Sequence, residues 1–564
     1  MRLFLTSNLP RMLFKWGLLL SGLYLYSVLI TGIGTFPDQQ FYQQWLELIL
    51  VCYLYSLIYL SMKPGKFRPF IAALPLFLLY LLHDVFFMIY GKVFRLINFS
   101  EVPELLQIIP LFSAILISLV FILPLALIIH RLNIRQYRPL VLAWSPLVIL
   151  IAVLLTSPLS FVQAFEQFSN HIVKYSDAKS VEQNGRISMM LYREAQRQAA
   201  LETILPYRER ESYKKQITEN ISRLKQNLNG RNIHLVVLES FLDPRMFKKL
   251  SFSKSPAHPA FDQLFKHKLG LSKSPVFGGA TAQAEFEVLC GVPAFEKLSS
   301  VEFNMFTGSN AYCLPGVLTE IGYRTVATNA YKPNFFNAIA GYRGTGFSEL
   351  DFPVEFYNAS ESYLHVGNPG NEDYLFDSDL FEQNLAFVKK HLAQNPEQPL
   401  LNYIMTIYGH TPHILDENKR PEIITTQSPY NDDHLQRSTN QFYYRSEAIA
   451  KYVNELMSID PDSLIIFIAD HVPPLRNGPN TYNALDYLPE HKDGMYYTLF
   501  GVIENGKVHR YHDIHHYDIP NIVLNYLTGN QYCQQQSCAH LGDDTEPREK
   551  RIEAYLRLMA HASE

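Results

Sequence analysis

The sequence lacks several features that would assign it to a common class. Its 564 residues include five cysteines but no C-x-x-C pair, so the usual signature of a small zinc domain is missing. The formal net charge is −4, which gives no reason to expect a nucleic-acid partner. No internal repeat or low-complexity tract is evident. What the protein does must therefore be inferred from individual segments and residues.

Long apolar runs are present, and they are confined to the first 160 or so residues. Five segments approach the length of about 20 residues that a bilayer requires. No small-residue cleavage site follows the first run closely, which favours a membrane anchor over a cleaved signal peptide. We place the predicted spans at residues 12–33, 42–62, 70–90, 105–129 and 140–159.

The basic residues between these spans predict the orientation. Lys and Arg cluster at the N-terminus, in the second loop and in the fourth loop, whereas the first loop has none. With five crossings, the N-terminus is cytoplasmic and everything after Leu159 lies outside the cytoplasm. Four cysteines follow Leu159, an even number that an oxidising compartment could pair: Cys290, Cys313, Cys533 and Cys538. Zinc binding by these four is the alternative.

The composition predicts three domains: a transmembrane domain at 1–160, a charged helical linker at 161–231, and a soluble domain at 232–564. The third domain contains short apolar runs that are separated by segments of mixed composition. The apolar runs are "IHLVVLES", "YRTVATNA", "LNYIMTIYG", "SLIIFIAD" and "YYTLFGVIE". Near-continuous apolar strands that alternate with helices indicate an α/β fold with a central, mainly parallel sheet.

Polar side chains follow three of these predicted strands. Glu239 ends the first strand, His410 and His413 follow the third, and Asp470 and His471 follow the fourth. In a parallel α/β sheet, ligands bind beyond the carboxyl ends of the strands. Plainer explanations are a helix cap for the glutamate and a self-satisfied histidine pair in the turn "GHTPH".

One threonine, Thr281, follows the turn "GGA" in "SPVFGGATAQAEFEVLCG". A turn residue is its plain interpretation. A divalent ion such as Zn²⁺ or Mn²⁺ accepts mixed carboxylate and imidazole ligands, as Glu239, Asp470 and His471 would supply. Such an ion beside Thr281 would lower the pKa of its hydroxyl and make it a nucleophile.

These residues resemble the alkaline phosphatase-like sulfatase superfamily, specifically the membrane-anchored branch of lipoteichoic acid synthases and phosphoethanolamine transferases. The resemblance implies an extracytoplasmic sulfatase-like domain behind a five-helix membrane domain. It implies that Glu239, Thr281, Asp470 and His471 bind one catalytic metal ion, with Thr281 as the nucleophile. It also implies that His410 binds the transferred phosphate or handles a proton.

The implied reaction is a two-step transfer. Thr281 attacks the head-group phosphorus of a phospholipid in the outer leaflet, and an envelope glycan or lipid then accepts the phospho-substituent. The implied location is the bacterial inner membrane, with the catalytic domain facing the periplasm.

The head group is left open by the sequence. Lipoteichoic acid synthases carry an aromatic-Asn-Arg signature, but here Phe336 replaces the tryptophan, Asn337 is kept, and Ala338 stands in place of the arginine. Losing a guanidinium that binds phosphate is not a conservative change. Lys332 and Arg343 are candidate replacements, and both phosphoethanolamine and phosphoglycerol stay open.

Two other classes of function are possible. A hydrolase would use the same residues, either as a phosphodiesterase with water as the acceptor or as a sulfatase. Sulfatases need a C/S-x-P-x-R motif, and "CLPGV" at Cys313 lacks its arginine. A non-catalytic membrane sensor would need none of the four metal-binding residues. His83 and Asp84, within the third span, suggest either a lipid head-group contact or simple interfacial placement.

Overall fold

The computed structural model describes residues 2–31, 41, 43–90, 93–95, 99, 111–133, 137–170, 172, 177–208, 211–266, 268–298, 301–333, 335–356, 362–430, 432–542 and 546–563. The chain divides into two compact units, residues 1–203 with 297–300, and residues 204–296 with 301–564. The predicted domain boundaries at 160 and 231 stay predictions. The start of the fourth predicted span, residues 105–110, lies outside the described residues.

The described elements are numbered here in chain order. In the first part of the chain the helices are α1 Arg2–Thr31, α2 Trp45–Ser61, α3 Arg68–Tyr90, α4 Leu111–Arg131, α5 Tyr137–Thr156, α6 Pro158–Phe168, α7 Asp177–Asn184 and α8 Arg186–Arg208. The later helices are α9 Glu211–Asn227, α10 Pro259–Phe265, α11 Thr281–Cys290, α12 Leu314–Glu320, α13 Ala338–Thr345, α14 Asp377–Gln394, α15 Asp433–Ile459, α16 Pro479–Ala484, α17 Ile519–Leu527 and α18 Arg548–Ala562. The strands are β1 Ile233–Leu238, β2 Ser251–Phe252, β3 Gly270–Lys273, β4 Arg324–Asn329, β5 Glu349–Asp351, β6 Leu400–Met405, β7 Thr426–Gln427, β8 Leu464–Ala469, β9 Tyr497–Glu504, β10 Lys507–His509 and β11 Ile514–His515.

The first unit contains apolar helices that suit a membrane. Pro10–Thr31 and Arg68–Phe87 are long and apolar enough to cross a bilayer. Leu140–Thr156 and Pro158–Phe168 bend by 115° and count as a third span if they act as one. Trp45–Ser61 and Ser118–Arg131 are apolar but shorter. The described residues thus contain two or three candidate spans, and the count of five stays a prediction.

A carboxylate caps α8 inside this first unit. Glu47 is fully buried, and it accepts hydrogen bonds from the backbone N–H groups of Ile187 (3.1 Å) and Ser188 (2.8 Å). The hydroxyls of Ser188 and Tyr80 also donate to it, both at 2.8 Å. The first N–H groups of a helix have no partner within the helix, so Glu47 satisfies donors that would otherwise be buried alone.

A buried ion pair lies in the same unit. The Arg186 side chain donates from Nε to Asp84 Oδ1 at 2.7 Å, and both side chains are fully buried. The Tyr26 hydroxyl donates to the other oxygen of Asp84 at 3.2 Å, and His83 Nδ1 lies 3.1 Å from Oδ1. Asp84 is therefore a buried charge paired with an arginine, and the two suggestions from sequence, a lipid head-group contact and interfacial placement, stay predictions.

The second unit is built on a nine-stranded sheet with the order β11-β3-β9-β8-β1-β6-β4-β5, and β10 pairs with β9. Five consecutive strands, from β8 to β5 in this order, run parallel. Ile233 of β1 lies opposite Leu401 of β6 and Leu464 of β8. All six residues of β1, β6 and β8 are buried, which explains their continuous apolar runs. The predicted α/β fold is confirmed.

The sheet is mixed: it is mainly parallel, as expected, but its pairings at β9 are antiparallel. Strand β9 runs antiparallel to β8, and β3 runs antiparallel to β9. A parallel neighbour needs a crossover that returns the chain to the opposite edge of the sheet. Between β8 and β9 the chain instead turns back at the edge where β8 ends, with only the short helix α16 in between.

Helices cover both faces of the central strands. On one face, Val236 and Ile404 share a buried core with Phe381 of α14 and Phe442 of α15. On the other face, Tyr403 contacts α11. Adjacent residues of a strand point to opposite faces, so Tyr403 and Ile404 divide between the two layers.

Two disulfides fix the ends of short segments in this unit. Cys290, the last residue of α11, pairs with Cys313 directly before α12. Cys533 pairs with Cys538, as the small loop "CQQQSC" suggests. Cys52 is the free cysteine.

Candidate active site

The carboxyl ends of β1 and β8 bring the predicted metal ligands together. The two strands are parallel neighbours, with Leu238 opposite Ala469 at their last residues. Glu239 and Asp470 therefore leave the sheet side by side, and both are buried. The backbone N–H groups of Ser240 (2.7 Å) and His471 (2.6 Å) both donate to Asp470 Oδ1, which fixes this carboxylate.

Thr281 reaches the same edge because it is the first residue of α11. The preceding turn has left-handed backbone angles at Gly278 (φ +68°) and Ala280 (φ +60°). A Cβ atom at Gly278 would lie 3.0 Å from Pro474 Cβ, so this glycine allows the loop to pack on the segment after His471. At Gly279 nothing lies within 4 Å of such an atom. Of the two glycines in this turn, Gly279 has the open surroundings expected of a residue that admits a substrate.

The four side chains converge on one point. The Thr281 hydroxyl donates to Glu239 Oε2 at 3.0 Å and lies 3.4 Å from His471 Nε2. Ser240 donates to the other oxygen of Glu239 at 2.7 Å. One ligand atom each from Glu239, Asp470 and His471 lie within 4.8 Å of one another. This arrangement matches the predicted site, and the roles of its residues stay predictions.

The tautomer of His471 suits a metal ligand. Its Nδ1 lies 3.0 Å from the carbonyl oxygen of Val472. A carbonyl can only accept, so Nδ1 carries the proton and Nε2 is left with a free lone pair toward Thr281 and the carboxylates. Such a second contact commonly orients metal-binding histidines.

The electrostatics of the cluster are those of a site short of positive charge. Burial opposes ionisation of Glu239, but His471, His410 and nearby hydroxyls outweigh it and lower the pKa of this carboxyl. Burial, together with the charge of Glu239, raises the pKa of Asp470 well above its ordinary value. Among the described residues, no hydrogen bond of ordinary geometry reaches Asp470 Oδ2. Two buried carboxylates, an imidazole and a hydroxyl fit one divalent cation such as Zn²⁺ or Mn²⁺.

His410 lies beside this cluster, and His413 does not take part. His410 Nδ1 is 2.9 Å from the Thr411 carbonyl, so this nitrogen carries the proton, and Tyr374 OH is 3.1 Å away. His413 is buried against Gln441, and burial lowers its pKa to about 3. His413 is therefore a neutral core residue. Tyr374 was not predicted from sequence, because no motif marks it.

The segment in place of the aromatic-Asn-Arg signature is shaped by its backbone. Phe336 and Asn337 both have left-handed angles, φ +48° and φ +55°. The Asn337 side chain donates to the carbonyls of Phe303 (2.7 Å) and Phe306 (3.1 Å), so it holds the loop in place. Ala338 is 4% exposed, which explains a small residue there. Of the candidate replacements, Lys332 lies over the Tyr331 ring at 5.6 Å, and Arg343 is exposed on α13.

On the buried face of α11, Glu285 lies in a hydrogen-bond network. Tyr342 and Tyr403 both donate to its carboxyl group, at 2.5 and 2.6 Å. Asn329 donates in turn to the Tyr342 hydroxyl at 2.7 Å. Burial raises the pKa of Glu285 to about 7. The network of Glu285 thus ties the nucleophile helix α11 to β6 and α13.

Comparison with known proteins identifies the class. The family model described as sulfatase matches residues 231–520, just over half of the chain. The chain belongs to the sulfatase family, and the predicted superfamily membership is confirmed.

The relatives and structural neighbours are distant. A putative cyclic beta-1,2-glucan modification protein of Rhizobium meliloti is 24% identical over 260 residues, which cover 46% of this chain and 37% of the relative. The chain thus spans about a third of the length of the curated relatives it matches. The Streptococcus pyogenes phosphoglycerol transferase GacH, solved with sn-glycerol-1-phosphate, gives a TM-score of 0.46 at 18% identity, covering 64% of this chain and 92% of that one. The Listeria monocytogenes lipoteichoic acid synthase LtaP gives 0.42 at 18% identity, covering 55% and 78%.

Proposed function

We propose that this protein transfers a phospholipid head group, phosphoethanolamine or phosphoglycerol, to an envelope glycan or lipid. The reaction passes through a phosphothreonine intermediate at Thr281. The observation that carries the proposal is the convergence of Thr281 with Glu239, Asp470 and His471 at the carboxyl edge of a sulfatase-family sheet. The setting is a multi-pass protein of the bacterial inner membrane, with its catalytic domain in the periplasm. The apolar helices and both disulfides support that location.

Glu239, Asp470, His471 and the Thr281 oxygen would hold one Zn²⁺ or Mn²⁺. The bound ion would lower the pKa of the threonine hydroxyl and offset the charge of the phosphate oxygens. Glu239 Oε2, which accepts a hydrogen bond from the Thr281 hydroxyl at 3.0 Å, orients the nucleophile.

His410 would carry out the proton transfers to the leaving group and from the acceptor. Thr281 Oγ1 forms a bond to the head-group phosphorus, and the bond from phosphorus to the diacylglycerol oxygen breaks. Because Nδ1 of His410 is engaged with the Thr411 carbonyl, Nε2 is the nitrogen that exchanges protons. Thr281 gives its own proton to solvent before it attacks, and it is released without a proton in the second step. His410 gives a proton to the departing diacylglycerol in the first step and takes one from the acceptor hydroxyl in the second, so the protons balance over the cycle.

The structure argues against a sulfatase that uses a modified cysteine. Cys313, the cysteine of "CLPGV", is bonded to Cys290 and has no free thiol. Thr281 occupies the position expected of the nucleophile. A phosphodiesterase that uses water as acceptor remains the second candidate, and the experiment below separates it.

Intact mass spectrometry tests the proposal. The purified full-length protein is incubated with phosphatidylethanolamine or, separately, phosphatidylglycerol, and wild type is compared with Thr281→Ala and Thr281→Ser. We expect an adduct on wild type that maps to Thr281, is absent from Thr281→Ala, and identifies the head group by its mass. Thr281→Ser keeps a hydroxyl and should retain some adduct. Steady release of free head-group phosphate without an acceptor would indicate the hydrolase. No adduct from either lipid would contradict the transferase.

A further inference from the structure

A buried arginine of α15 contacts the backbone of Glu239, the predicted metal ligand at the end of β1. Arg445, in α15, is 2% exposed. Its Nη1 donates to the backbone carbonyl of Glu239 at 2.8 Å, and its Nη2 lies 3.4 Å from the hydroxyl of Thr406. That same hydroxyl accepts the backbone N–H of Glu239 at 3.0 Å. Both main-chain polar groups of Glu239 are therefore fixed by this arrangement.

The loop that carries His410 rests on the same guanidinium. A Cβ atom at Gly409 would lie 2.0 Å from the Glu239 carbonyl oxygen and 2.2 Å from Arg445 Nη1. Only glycine permits this approach, and the next residue is His410. One turn earlier in α15, Gln441 donates to the carbonyl of Tyr408 at 3.4 Å. The α15 face thus contacts both the strand end of Glu239 and the turn of His410.

The charge of Arg445 is balanced by one partner. Its Nε donates to Asp377 Oδ2 at 2.7 Å, and Asp377 is fully buried at the start of α14. A buried ion pair is weak evidence for stability, because an apolar pair of similar size often stabilises a fold as well. A planar guanidinium, by contrast, holds several acceptors at fixed angles, which an apolar side chain cannot do.

We propose that Arg445 is a positioning residue that holds Glu239 and the His410 loop in the register the metal site needs. This inference rests on the proposed function and adds a residue to that same site. Arg445 touches neither the metal ligand atoms nor the reacting atoms, so it acts through the backbone of Glu239. Contacts that orient metal ligands commonly change metal affinity or activity by 10- to 100-fold.

The test removes both charges of the pair, so that no lone charge stays buried. The full-length protein carrying Arg445→Met with Asp377→Leu is depleted of metal and titrated with Zn²⁺ or Mn²⁺ in the absence of lipid. We expect the dissociation constant for the ion to rise about 10- to 100-fold. With lipid present, kcat should fall while KM for the phospholipid changes little. Arg445→Lys should bind the ion more tightly than the double variant but less tightly than wild type. Lysine keeps the positive charge but lacks the planar guanidinium that contacts several acceptors at once.

His234→Gln is the matched control. His234 lies in β1, the strand that leads to Glu239. Its Nε2 lies 2.9 Å from Oδ2 of Asp460, the residue directly after α15. This pair, in which the Asp460 side chain is 12% exposed, joins the start of β1 to the residue after the end of α15. The control should keep wild-type metal affinity even if its melting temperature falls.

The outcomes separate the two claims. If the double variant binds the ion as tightly as wild type, or if wild type binds neither ion, the positioning role is overturned. If metal affinity falls in the double variant but wild type forms no phosphothreonine, the positioning role stands and the transferase proposal fails. Gly409→Ala gives a second check: it keeps Arg445 but should weaken metal binding by displacing the loop.

Discussion

Two buried groups of charges, one in each unit, differ in how their charges are balanced. In the first unit, Asp84 has Arg186 at 2.7 Å, and Glu47 accepts four hydrogen bonds, two of them from a helix start. In the second unit, Glu239 and Asp470 face each other without an arginine or lysine, and among the described residues Asp470 Oδ2 receives no hydrogen bond of ordinary geometry, although His471 Nε2 lies 3.2 Å from it.

The difference distinguishes a structural cluster from a binding site. Ionised groups buried without compensation are costly, so a folded protein pairs them or leaves them for a ligand. The Asp84 cluster has its cation within the chain and holds α8 in place. The Asp470 cluster has a deficit of positive charge that one divalent ion would meet. The following predictions test this contrast, from the largest expected effect to the smallest.

Thr281→Ala should have the largest effect. Removing a nucleophile that forms a covalent intermediate should lower the transfer rate about 10⁴-fold or more. The measurement is release of labelled head group from vesicles that contain the purified protein. The melting temperature of the metal-free protein should stay near wild type, whereas metal affinity should fall because Thr281 Oγ1 is one of the proposed ligands. Full activity in the variant would mean that the cluster around Asp470 is structural and not a catalytic site.

Asp84→Asn should destabilise the protein and spare the metal site. It leaves the Arg186 charge buried without its partner, at a cost of about 3–5 kcal/mol. Thermal unfolding of the detergent-solubilised protein, followed by circular dichroism, measures this loss. Glu382→Gln, at an exposed ion pair with Lys451, is a control that should change stability by less than about 1 kcal/mol. An unchanged melting temperature for Asp84→Asn would contradict the structural role.

Glu285 and Glu302 are buried carboxyl groups of a third kind, whose pKa values lie close to neutral pH. Burial raises the pKa of each to about 7. Their folded values exceed the unfolded value near 4.5, so their stabilising contribution is full below pH 4.5 and is lost as pH rises through 7. Stability should therefore fall between pH 5 and pH 8, by up to about 3 kcal/mol for each group. Denaturant titrations at several pH values measure the slope, which Glu285→Gln should reduce. The same slope in that variant would refute the assignment.

Asp470→Asn should change stability in the opposite direction from Asp84→Asn. It removes one of two facing buried carboxylates, so the metal-free protein should gain about 1 kcal/mol while losing metal binding. Thermal unfolding after chelation measures the gain. A loss of stability in the metal-free variant would mean that Asp470, like Asp84, is a structural charge.

The central strands could be predicted from sequence because their signal is strong. The run "IHLVVLES" contains β1 at Ile233–Leu238, and "SLIIFIAD" contains β8 at Leu464–Ala469. Strands buried on both faces give continuous apolar runs. The direction of β9 could not be predicted, since it depends on where the chain re-enters the sheet. The two-residue strand β11 is too short for any periodic pattern.

The candidate site was predictable where residues follow strand ends. Glu239, Asp470 and His471 each come directly after a buried strand, and Thr281 is marked by its Gly-Gly-Ala turn. Arg445 could not be found in this way. It lies in the middle of a long helix, 206 residues from the Glu239 carbonyl that it contacts, and only the folded chain brings the two together.

The metal content of the purified full-length protein tests the central contrast most directly. Inductively coupled plasma mass spectrometry would compare wild type, Asp84→Asn and Asp470→Asn after equilibration with Zn²⁺ or Mn²⁺ and removal of loosely bound ions. We predict about one ion per chain in wild type and in Asp84→Asn, and almost none in Asp470→Asn. Wild-type protein without metal, or equal metal in Asp470→Asn, would contradict the account.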